Sequence, residues 1–198
     1  MADSITRRNV LRTLAVGTVA GSVLSVIPLE AAEYAHHLIQ AEKSGDAGAY
    51  TPKFFLPAQY KTLIKLCDTI IPADADSGGA VEAGAPEFID LITSENPDFQ
   101  RRLGGGIAWL DALCSDRYGA ASWLDSTPEQ QKEMLDLIAY RRNADKDPSL
   151  TPAVDFFTLL RSLTADGFFT SKIGIHYVGY IGNTFLREFP GCPPVPGL

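Results

Sequence analysis

The chain is poor in sulfur. Cysteine occurs three times in 198 residues, at Cys67, Cys114 and Cys192, and methionine twice. Three thiols cannot hold together a disulfide-dense mini-protein. Their separations, 47 and 78 residues, lack the local spacing of an iron–sulfur or zinc site. Basic residues are also short. Lys and Arg number 17 against 24 Asp and Glu, a formal charge of -7. That argues against nucleic acid as a partner, because phosphate neutralisation needs clustered Lys and Arg. Histidine occurs three times. His36 and His37 are adjacent, so their side chains do not converge on one metal, and they read as a solvated pair. His176 sits beside Tyr177 and near Tyr180 and reads as a packing histidine, since a general base needs a partner and a cleft.

Familiar catalytic motifs are missing too. There is no Gly-x-Gly-x-x-Gly after a strand, no P-loop, no Gly-x-Ser-x-Gly elbow and no Cys-x-x-Cys-His. Asp74 and Asp76 suggest a calcium loop only faintly. Counted from Asp74, the sixth position is Gly79, as an EF-hand requires, but the twelfth is Ala85 instead of a bidentate glutamate. No catalytic, cofactor-binding or metal-binding residue is therefore assigned.

One long uncharged run is present, from Thr13 to Leu29, preceded by Arg7, Arg8 and Arg12. A basic stretch followed by an apolar one is the layout of a targeting segment. The pair Arg7-Arg8 followed by Val10 and Leu11 resembles a twin-arginine signal, the address of proteins exported folded. Residues 1–35 read as this signal and 36–53, with Ser44-Gly45-Asp46-Ala47-Gly48, as a linker. No Ala-x-Ala site closes the apolar run. The nearest small residues are Ala31, Ala32 and Ala35, so removal of the signal stays open.

Residues 54–198 read as one all-α domain of about five helices. Pro57 suits a first turn, and Tyr60, Leu63, Ile64, Cys67, Ile70 and Ile71 fall on one helical stripe that Pro72 ends. Pro86 opens a second helix, Asn96-Pro97 a third, Thr127-Pro128 a fourth and Thr151-Pro152 a fifth. Gly104, Gly105 and Gly106 interrupt the third, predicting either a break or the close approach of another backbone. No segment alternates with the period of a strand.

The last 32 residues differ. Residues 167–198 hold six glycines, four prolines and only three charges, Lys172, Arg187 and Glu188. Such a segment is too glycine-rich for a long helix and too apolar to remain a solvated tail. It is expected to run extended and to wrap, over its own domain or over a partner. Phe168, Phe169, Tyr177, Tyr180, Phe185 and Phe189 are the candidate interface residues. In an oxidising compartment, three cysteines suggest one disulfide and one free buried thiol, or one bond to a partner, with the pairing of Cys67, Cys114 and Cys192 open.

The run Leu66-Cys67-Asp68-Thr69-Ile70-Ile71-Pro72-Ala73-Asp74, followed by Gly78 to Asp90, resembles the gluconate 2-dehydrogenase subunit 3 family. Gly106 to Asp111, Leu124 to Gln131, Gly167 to Ser171, Tyr177 to Asn183 and Phe189 to Cys192 fit the same pattern. Together they cover residues 54–192. The resemblance implies a noncatalytic small subunit. Its large partner would be a glucose–methanol–choline type flavoprotein carrying FAD and oxidising gluconate, sugars or polyols. A membrane cytochrome c subunit would take the electrons. It also implies an escort that leaves through the twin-arginine translocase with its partner and works in the periplasm, with any membrane attachment made through the complex. The competing readings are a periplasmic small-ligand binding module and a stand-alone periplasmic oxidoreductase.

Overall fold

The structure, a computed structural model, describes residues 27–45 and 49–182. Arg7, Arg8, Val10, Leu11, Phe185, Phe189 and Cys192 lie outside these residues.

The described residues are helical, with no strand among them. Helix α1 spans Leu29–Lys43, α2 Pro57–Ile70 and α3 Ala85–Ser94. A short α4, Pro97–Phe99, continues through a π-helical stretch, Gln100–Gly104, into α5, Gly105–Tyr118. After a loop come α6, Pro128–Ile138, α7, Arg141–Lys146, α8, Thr151–Phe169, and α9, Lys172–Tyr177.

The prolines and caps set the boundaries as expected. Asn96 Oδ1 accepts from the N–H groups of Asp98 and Phe99 at 2.9 and 3.2 Å. Thr127 and Gln130 exchange bonds in a capping box. Helix α3 is buried nearly all round, through Ala85, Phe88, Ile89, Asp90, Leu91, Ile92 and Thr93. It packs along α8, whose Phe156, Leu159, Leu160 and Leu163 are buried. Helix α8 also meets α2, α5, α6, α7 and α9. These two helices form the centre of the domain.

The glycine triplet neither breaks its helix nor admits a backbone. The helix widens to π geometry and continues. At Gly106 a Cβ would fall inside the ring of Phe156, so the missing side chain lets α5 cross α8 with that ring between them.

Three expectations are corrected. The first part of the segment read as a linker, residues 36–43, is helix. Helix α1 begins after Pro28 and runs through residues 36–43, burying Ala31, Ala32, Ala35 and Ile39. These small side chains leave a faint helical period in the sequence, yet they permit close packing on α3. His36 is not a solvated residue beside His37. It is half-buried and stacked on Phe88, with ring centroids 5.3 Å apart at 16°. The tail does not begin as extended chain at residue 167. Gly167, Phe168 and Phe169 close α8, and α9 follows after two residues.

Candidate partner-binding surface

Of the eight large apolar or aromatic side chains exposed among the described residues, five lie between positions 169 and 181: Phe169, Tyr177, Val178, Tyr180 and Ile181. Phe169 and Tyr177 come together on the ring of Phe168 because the chain folds back after α8. Ser171 caps α9, its Oγ accepting from Gly174 N–H at 3.0 Å and donating to Phe168 C=O at 2.7 Å. Gly174 rests on the carbonyl of Phe168, where any Cβ would collide with backbone. Tyr180 N–H then donates to Ile175 C=O at 3.1 Å.

Phe168 is the support of this surface, not part of it. Expected at the interface, it is 3% exposed. Its ring meets Phe169 edge-on at 5.0 Å and Tyr177 at 6.2 Å. One buried ring thus fixes two rings that remain about half in solvent, at 46% and 53%. The sequence reading could not separate Phe168 from Phe169, because adjacent helical residues differ only in which side of α8 they take. Only Lys172 is charged between 169 and 181. Exposed aromatics with little charge form the composition of an interface core.

Two polar groups flank this surface. His36 Nε2 lies 3.0 Å from Thr170 Oγ1, whose own proton goes to Asp166 C=O at 2.6 Å. Nε2 is therefore the donor, and the bond ties α1 to the corner between α8 and α9. Burial lowers the imidazole pKa, with a backbone bond at Gly167 opposing, the charge of His37 assisting and that of Glu87 opposing. Asp166 stands one turn before Phe169. Burial alone pushes its carboxyl up to about 6. A groove between α1 and α9, lined by Glu33, His36, His37, Glu82 and Lys172, carries charges of both signs. Among the described residues no three His, Cys, Asp or Glu side chains are placed to hold a metal ion.

Cys67 and Cys114 are free and buried. Cys67 Sγ lies 3.7 Å from Thr164 Oγ1, and Cys114 Sγ lies 2.8 Å from Ser126 Oγ. Burial pushes the Cys67 thiol up to about 12, which keeps it protonated and unreactive. Asp74 Oδ1 is occupied by the N–H groups of Asp76 and Ser77, both at 2.9 Å, in an ordinary turn.

Sequence reasoning missed Ser171 and Gly174. Serine three residues before glycine after an apolar run was the available sign of a cap and close approach. No described helix is long and apolar enough to cross a membrane. The model of the family described as gluconate 2-dehydrogenase subunit 3 matches residues 57–191. No curated protein and no solved structure matches the chain.

Proposed function

Given that this chain belongs to the gluconate 2-dehydrogenase subunit 3 family, we propose that it escorts and stabilises a periplasmic FAD-dependent dehydrogenase of the glucose–methanol–choline type. The family is one of small subunits of a dehydrogenase complex. The chemistry is carried by the large partner, which binds FAD, oxidises gluconate, a sugar or a polyol, and passes electrons to a cytochrome c subunit. The present chain supplies the export address at Arg7 and Arg8 and a docking face at Phe169, Tyr177, Val178, Tyr180 and Ile181.

The observation that carries this reading is the position of the exposed aromatic cluster inside the family match. Residues 57–191 run from α2 through α9 and include every residue of the cluster. Rigid aromatic side chains lose little entropy on docking and are enriched among the anchors of interfaces. A stable complex needs about 1,000 Å² of buried surface in total, so the cluster would be its centre and flanking polar residues its rim.

The test is co-expression of this chain with its large partner. Changing Arg7 and Arg8 to Lys should strand both proteins, and dehydrogenase activity, in the cytoplasm. Undiminished periplasmic activity with that variant would refute the escort role. Failure of the two wild-type chains to co-purify would refute the subunit role.

A further inference from the structure

We infer that α1 is an integral part of the mature subunit, so that any trimming of the export segment ends before Leu29. The inference rests on the export reading above. Peptidases that remove export signals cut after small residues in an Ala-x-Ala-like pattern. Between Leu29 and Ile39 the small residues are Ala31, Ala32 and Ala35. All three are inside the fold, at 4%, 0% and 4% exposure. With Ile39 they form the buried stripe of α1, which faces α3.

Helix α1 is also held along its whole length. At its start the N–H groups of Ala31 and Ala32 donate to Pro28 C=O at 3.0 and 3.1 Å. In the middle His36 stacks on Phe88 and bonds Thr170. At its end Lys43 pairs with Glu87 at 2.5 Å, and Glu42 with Lys53 at 2.8 Å. A peptidase takes its substrate extended. Cutting at any of these alanines therefore requires local unfolding of α1. A route that carries folded proteins delivers this helix already formed. Cutting after Ala35 would remove three of its four buried side chains and leave His36–Lys43, about two turns, a length that does not hold itself helical.

The test is the intact mass of the subunit recovered from the periplasm in its complex. The expected N-terminus lies at or before Leu29. A chain beginning at Ala32, Glu33 or His36 overturns the inference. In the full chain, Ala32→Leu should leave that N-terminus unchanged and lower the thermal midpoint by roughly 5 °C, because a larger side chain overpacks a filled site. A longer, uncut chain seen only with Ala32→Leu overturns the inference, since the alanine would then be a cleavage residue. Hydrogen exchange on the full chain decides the matter without export. The amides from Ala35 to Ile39 should exchange at least about 100-fold more slowly than in an unfolded chain, and unprotected amides overturn the inference. Failure of the export reading looks different: wild-type chain absent from the periplasm, with α1 still protected.

Discussion

The carboxylate of Asp90, 0% exposed, accepts the phenol proton of Tyr50 at 2.8 Å. The same carboxylate takes the N–H groups of Lys53, Phe54 and Phe55 at 2.6, 3.1 and 2.9 Å. Four donors from the segment before α2 thus converge on one side chain of α3. Asp90→Asn would turn an amide toward donors and remove the charge they serve. It should cost about 3 kcal/mol, and Tyr50→Phe about 1–2 kcal/mol. Urea unfolding of both variants checks the order. A smaller loss for Asp90→Asn than for Tyr50→Phe would refute this role.

The exposed cluster should matter to binding and not to folding. Tyr177→Asp and Ile181→Asp should weaken capture of the large subunit by about 10- to 100-fold each, equivalent to about 1.4–2.8 kcal/mol. Tyr140→Asp, outside the cluster and at 50% about as exposed as Tyr177 at 53%, should leave capture unchanged. Affinity by titration, with melting of the free subunit as control, reads both effects. Equal losses at all three sites would deny the cluster its special role.

Gly106 and Phe156 should behave as one unit. Gly106→Ala alone places a methyl in the Phe156 ring and should cost about 1–3 kcal/mol. Combining it with Phe156→Leu should cost less than the two separate losses summed, because the smaller side chain relieves the collision. Additive losses in a double-mutant cycle would show that the ring can move aside freely.

Asp166 should give the subunit an acid-side stability gain. Its carboxyl is raised from 3.8 to about 6 by burial. The folded state therefore binds the proton more tightly than the unfolded chain. The resulting contribution is full below about pH 4 and is lost as pH rises through about 6. Partial exposure screens it, so about 1 kcal/mol is expected. Asp166→Asn should raise the melting midpoint at pH 7.5 and change it little at pH 4. Taking the difference between variant and wild type removes the opposing titration of His36, whose lowered pKa costs stability as pH falls below its ordinary value. A flat difference profile would show that Asp166 is solvated.

Much of the helical framework was legible because its start signals are local. Pro57, Pro97 and Pro128 each stand at a first turn, and Asn96 and Thr127 satisfy backbone N–H groups with their own side chains. Helix α1 was not legible, because Ala31, Ala32 and Ala35 give a weak apolar period and follow an uncharged run that reads as something else. Helix α9 has six residues with Gly174 among them, too short for periodicity to register. At the candidate surface, composition marked the stretch in which the exposed large side chains of residues 169–181 lie. It could not reveal that Phe168 turns inward, since only the packing of α8 on α3 decides which neighbour is covered. Asp90 had a visible sign, a lone acid within Phe88-Ile89-Asp90-Leu91-Ile92. Its donors lie 35 to 40 residues away in sequence, and no local rule connects them.

The central position of α8 has a consequence in time. Helices α2, α3, α5, α6, α7 and α9 all rest on it, yet it occupies residues 151–169. A ribosome adding about 5–20 residues per second completes Arg7-Arg8, the proposed export address, roughly 7–30 s before this helix is begun. On the proposed export reading, the chain for that interval carries its destination without its central support. Under the same proposal, a translocase that accepts folded cargo would have to ignore the address until the far end arrives, and whatever holds the unfinished chain meanwhile would decide whether it leaves alone, leaves with a dehydrogenase partner, or does not leave.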